Sequence, residues 1–170
     1  MTAYRSPIRQ TRDGRYEVRL DPEVRAVLRA AAEQVGDLVT TETGLTRRVY
    51  PPAYVAADQE QAESEYQKLV HGALERRHRG CLATLAETAT SVTLDREELG
   101  QWLSAVETIR LVLGTRLDVS EDMDPPQEDD PSLPEFVLYD LLGLLQETIV
   151  DLFARELPEG GVDQVSPGGR

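Results

Sequence analysis

The sequence predicts a mainly α protein: a bundle of about four main helices with a small N-terminal β-hairpin packed on it. Three observations carry this. Around Asp13-Gly14 the chain alternates apolar and polar residues, the pattern of a hairpin. Later windows instead repeat apolar residues every three or four positions, the spacing of helices half-buried in a core. Two of those windows open on residues that start helices, Asp21-Pro22-Glu23 and Asp95 followed by Glu98.

The hairpin is expected over residues 4–20, "YRSPIRQTRDGRYEVRL", with Tyr16, Val18 and Leu20 on one face and Arg15, Glu17 and Arg19 on the other. Pro7 lacks an N–H for the ladder and restricts the first arm to a sheet edge. Two strands alone are marginal, so the hairpin must lie on other elements. The first helix then buries Val24, Val27, Leu28, Ala31, Val35, Leu38 and Val39 and ends near Gly44. "TRRVYPPAYVAAD" is a connector with room for a short strand at Val49-Tyr50. A long helix is expected after Asp58, acidic at its start and basic later, in line with the helix dipole. Its stripe is Ala62, Tyr66, Leu69, Ala73, Cys81, Leu82 and Leu85.

"SVTLD" is a short extended link to the next helix, in which Leu99, Leu103, Val106, Arg110, Leu113 and Leu117 share a face widened by Trp102 and Ile109. The run "RLVLGTRL" is therefore the last two turns of a helix; Gly114 lacks the glycines and the trailing Lys-Ser of a phosphate loop. The last helix begins between Pro131 and Glu135 and runs to about Leu157. Residues 1–157 are read as one domain and residues 158–170 as a disordered tail with little apolar content.

The 170 residues carry a net charge of −13, which argues against a protein that coats nucleic acid. That charge is unevenly placed. Residues 1–29 hold seven arginines against four acids, whereas residues 118–163 hold fourteen acids against Arg155 alone. Arg5, Arg9, Arg12 and Arg15 form a local basic patch, a candidate for phosphate contact, although no helix-turn-helix pattern accompanies it. No apolar run reaches the length of a membrane span, and the single cysteine fits a reducing cytoplasm.

Chemistry-bearing patterns are sparse. His71, Glu75, His78 and Cys81 follow one another at helical spacing, yet "ERRHR" surrounds His78 with cations, so no metal site is expected and no cofactor is implied. Two histidines and no nucleophile elbow leave no catalytic constellation, and an enzyme is not expected. Cys81 is read either as a buried inert thiol or as a redox thiol activated by Arg76, Arg77, His78 and Arg79. Arg110 interrupts an apolar stripe and needs oxygen partners. The last helix offers Asp140 and Glu147, so Arg110 or Arg116 is expected to pair with one of them, the alternative being an arginine that snorkels to solvent. Because that helix is apolar nearly all round, a homodimer through residues 136–153 is expected.

Several segments, "LDPEVRAVL", "VYPPAYVAAD", "EYQKLV", "VTLDREELGQWLSAVETIRLVLGTRLDV" and "VLYDLLGLLQETIV", resemble in their order the actinobacterial family known as domain of unknown function 2017. The resemblance runs from about Tyr16 to Phe153, and is most specific between Trp102 and Leu117 and in "YDLLGLLQE". It implies an oxidative-stress transcriptional regulator that works with a stress sigma factor, encoded beside the substrate adaptor of the Clp protease. The family's description includes sensing through a cysteine pair, and with Cys81 alone an intrachain disulfide cannot form here. Three roles follow: a regulator acting through protein contacts with a sigma factor or RNA polymerase, a direct DNA binder through the basic hairpin, and an accessory protein of Clp-type proteolysis.

Overall fold

The computed structural model describes residues 6–39, 72–119 and 126–157. Within them the hairpin comes first, with β1 at Ile8–Gln10 and β2 at Tyr16–Val18 in antiparallel register, Ile8 opposite Val18. Its turn is a three-residue loop rather than the tighter two-residue one. Gly14 N–H closes on the Thr11 carbonyl at 3.1 Å, and Thr11 N–H on the Arg15 carbonyl at 2.8 Å. Only Gly14 takes a positive φ, +80°, as a type I turn followed by a left-handed residue requires. The link "SVTLD" supplies a third strand, β3 at Thr93–Leu94, which pairs with β2 and makes β2 the centre of the sheet. Ile8, Tyr16, Val18 and Leu94 turn one face of this sheet into the core, which gives the hairpin the support that two strands lack.

Among the described residues four helices complete the fold: α1 Pro22–Leu38, α2 Gly72–Thr88, α3 Arg96–Arg116 and α4 Leu133–Ala154. α1 begins where Asp21-Pro22 predicts. Asp21 holds the extended backbone of an N-cap, although its carboxylate accepts no cap hydrogen bond. α3 opens on the full capping box: Asp95 accepts from the Glu98 N–H at 2.8 Å, and Glu98 accepts from the Asp95 N–H at 2.8 Å. Its far end closes through Asp118, the only non-glycine among the described residues with a positive φ (51°). There the Val119 N–H reaches back to the Gly114 carbonyl at 3.0 Å. Gly114 is thus a buried residue of the last helical turn.

The core stripes sit slightly to one side of those expected. On α1 the buried residues are Leu28, Ala32 and Val35, while Val27 is exposed. On α3 they are Leu99, Trp102, Ala105, Val106, Thr108, Ile109, Val112 and Gly114, which leaves Leu103, Arg110 and Leu113 half-buried at the edge. Trp102 lies at the centre with no exposed surface, and its indole N–H donates to the Thr88 hydroxyl at 2.7 Å. A buried indole donor needs such a partner. On α2, Cys81, Leu82 and Leu85 are buried and Ala73 is exposed. Leu142, Leu145, Ile149 and Leu152 fasten α4 to the core. No helix of the described residues is long and apolar enough to cross a membrane. The expectations about Arg5, Gly44, the Val49-Tyr50 strand, the helix start after Asp58, His71 and the tail 158–170 lie outside the described residues.

Candidate functional site

The basic hairpin is largely occupied with its own architecture. Arg9 pairs with Glu17 at 3.0 Å and shares that carboxylate with Arg19 at 2.8 Å; these cations hold the Glu17 carboxyl below its ordinary range, Arg19 most of all. Arg15 donates to the Thr93 hydroxyl at 3.0 Å, joining β2 to β3. Arg12 is exposed at the turn, beside Asp13, and enters no ion pair among the described residues. Of the predicted four-arginine patch, Arg9 is thus paired with Glu17, which also binds Arg19 outside the patch.

Two polar hubs that were not singled out in the sequence hold the hairpin in place. Arg25 of α1 donates to four carbonyl oxygens: Leu20 at 3.0 Å, Val18 at 2.7 Å, Ala89 at 3.1 Å and Ser91 at 2.6 Å. One guanidinium thus ties the end of β2, the start of α1 and the turn after α2 together, a use that suits its five donors. It shares the side of α1 that carries Leu28, Ala32 and Val35, so the logic that singled out Arg110 applies equally to it. The second hub is Glu156, just past α4, which accepts from the Tyr16 hydroxyl, from Gln10 at 2.9 Å and from Arg96. Arg96 also covers the Phe153 ring at 4.7 Å. Burial and the adjacent Glu156 raise the Tyr16 pKa, so its hydroxyl stays protonated and donates.

Cys81 is 3% exposed, and burial pushes its thiol up; a hydrogen bond from Ser104 and the charge of Arg77 act the other way and are smaller. The redox reading required an accessible sulfur in a basic field, and the described geometry supplies an enclosed one. His78 contacts the Thr108 hydroxyl through Nδ1 at 2.9 Å. Thr108 also donates to the Ser104 carbonyl at 2.8 Å. Burial, and then Arg77, lower the His78 pKa. Among the described residues no group of three metal-ligating side chains comes together.

Arg110 and Arg116 both reach α4, but through partners other than those expected. Arg110 donates to Gln146 at 2.6 Å and lies over the Tyr139 ring at 4.6 Å, with its guanidinium flat against Gly143. Arg116 pairs with Glu135 at 2.9 Å. Asp140 and Glu147 are exposed and enter no ion pair among the described residues. The reason is angular. The core side of α4 centres on Leu142, Leu145 and Ile149, and at 100° per residue Asp140 and Glu147 fall on the opposite side, whereas Tyr139, Gly143 and Gln146 border α3. The Nε of Arg110 is buried without a partner, a cost offset in part by the ring beneath the guanidinium.

Beside this contact lies a cleft of about 310 Å³ lined by Glu107, Arg110, Leu111, Gly114, Tyr139 and Gln146. Leu111 on α3 is 40% exposed at its edge, and on α4 Val137 and Val150 are 58% and 47% exposed. The cleft around this half-buried arginine and the adjoining outer side of α4, with Val137, Asp140 and Glu147, make up the candidate site. Its chemistry is that of contact: a cation with an aromatic neighbour, exposed valines and a leucine, and carboxylates without partners. None of the curated proteins and none of the solved structures matches the chain. The model of one family, described as a domain of unknown function (DUF2017), matches residues 1–153, and the chain belongs to that family.

Proposed function

We propose that this chain is a regulatory interaction protein that works by holding another protein through its α3–α4 surface. The observation that carries the reading is the Arg110 cleft with Leu111 exposed at its edge, together with Val150 on the side of α4 that carries Tyr139 and Gly143 and Val137 exposed on its outer side. Apolar side chains grouped with an arginine and a tyrosine suit a docking surface better than a solvated face. The polar groups best placed for chemistry, Tyr16, His78 and Glu156, are engaged in holding elements together, which favours contact over catalysis.

The resemblance noted in the sequence adds direction: an actinobacterial regulator of the oxidative-stress response, with a sigma factor or RNA polymerase as its protein partner. A role beside Clp-type proteolysis is the second reading from the same source. Direct DNA binding through the hairpin is the less favoured reading, because Arg9 and Arg19 are engaged by Glu17 and Arg15 by Thr93.

The test is a crosslinked pull-down of tagged protein from cells grown with and without peroxide, with a Cys81→Ser version in parallel. Sigma-factor or polymerase subunits are the expected capture. Protease components would transfer the function to proteolysis, and no protein recovered above a tag-only control would sink the interaction reading. Partners that respond to peroxide in the wild type alone would restore a sensing role to Cys81; the enclosed sulfur leads us to expect the same response in both versions.

A further inference from the structure

We infer that the outer face of α4 is a docking seam for a basic amphipathic helix of a partner protein, a proposal that rests on the interaction reading and specifies its partner. Val137, Asp140, Leu144, Glu147 and Asp151 succeed one another at three, four, three and four residues, so they form a single line along the helix. Val137 is 58% exposed, Leu144 is half-buried and lies outside the core cluster, and the three acids are exposed. The line faces away from Leu142, Leu145 and Ile149, which already bind α4 to its own core. It is therefore a second seam, apolar and acidic by turns.

Charge selects the occupant. Across its 22 residues α4 has four acids and no lysine or arginine, and Arg116 compensates only Glu135. On α1 and α2, by contrast, an acid meets an arginine of its own helix, Glu33 with Arg29 at 3.0 Å and Glu75 with Arg79 at 3.8 Å. Asp140 and Glu147 have no such neighbour among the described ion pairs, and Asp151, which lines a pocket with Arg9 and Arg155, enters no ion pair there either. A second copy of this chain laid on the seam would bring three carboxylates against a face that also carries three, a net repulsion. A helix that offers lysine or arginine to those positions and leucine to Val137 and Leu144 meets both chemistries at once.

The experiment uses the full chain and a labelled helical peptide of leucine and lysine whose residues repeat at the same three-four spacing. A peptide of identical composition with the spacing scrambled is the control, and binding is read by fluorescence anisotropy. The patterned peptide should bind more tightly than the scrambled one. The triple variant Asp140→Asn, Glu147→Gln, Asp151→Asn should weaken it by about tenfold, as expected for three exposed pairs at a rim. Because those side chains are exposed, melting followed by circular dichroism should match the wild type, and Val137→Ser should weaken the peptide independently of charge. Equal binding of both peptides, or an unaltered affinity in the triple variant with its fold intact, would overturn the seam. So would a dimer in sedimentation velocity that Val137→Ser dissociates. A cellular partner that the triple variant still captures would remove this seam and leave the interaction reading standing.

Discussion

At the sulfur of Cys81 two influences oppose each other: burial raises the thiol pKa, while the Ser104 hydrogen bond and the Arg77 charge lower it, and burial is the larger. The native thiol should accordingly react with iodoacetamide about a hundredfold more slowly than the same thiol in denaturant, since attack awaits a local opening. Mass spectrometry of a timed reaction reads this directly, and equal rates would mean that the sulfur is accessible after all. His78 makes a separate prediction. Its folded pKa is lowered by burial and by Arg77 from an ordinary value of 6.5, so the unfolded chain binds a proton that the folded chain refuses. The stability is complete above that value and is lost as the pH falls towards the lowered one. Urea midpoints at about pH 8 and about pH 5.5 should therefore fall further in the wild type than in His78→Gln. Parallel falls would show that the imidazole titrates alike in both states. Arg110 was legible in the sequence as an arginine inside an apolar stripe, but its partners were not. Choosing Gln146 and Tyr139 over Asp140 depends on the rotation of α4 about its axis, which an almost continuously apolar helix does not reveal.

Among the elements, those with chemical punctuation were readable in advance. Asp13-Gly14 marked the turn, Asp95 with Glu98 marked the start of α3, and proline marked the first turns of α1 and α4. The third strand was harder to see, because a two-residue strand carries almost no pattern and exists by pairing with β2. The lateral shift of the α3 stripe is similar: Ala105 and Thr108 are buried because α2 lies close, and small residues weigh little in a hydrophobic pattern. The position of the hairpin rests on Arg25, whose four carbonyl acceptors belong to three separate segments. Arg25→Ala should cost about 3 kcal/mol, the range for a partly buried charged group that leaves several acceptors unpaired. Arg25→Lys should recover little of it, because a single ammonium cannot span all four. Chemical denaturation of the two variants checks both statements, and a lysine variant as stable as the wild type would show that charge alone, without the fork, suffices.

For the whole molecule, the division between a basic hairpin, with Arg9, Arg12, Arg15 and Arg19 against Asp13 and Glu17, and an acidic α4 is the feature that points outward. The net charge of −13 was plain from composition, as was the acidity of residues 118–163. What the sequence left open was which of those carboxylates would be used inside the molecule. Glu135 and Glu156 are bound to Arg116 and Arg96, while Asp140, Glu147 and Asp151 line an exposed face with Val137. On the function proposed here, activity turns on what approaches that face. Site-specific photocrosslinking in cells tests this most directly, with a photoreactive residue placed at Val137, at Val150 or, for comparison, at the exposed Val27 of α1. Adducts to another protein from positions 137 and 150 and none from position 27 are the predicted result. Adducts from Val27 alone, or only adducts of twice the chain mass, would contradict an account in which α4 holds a different protein.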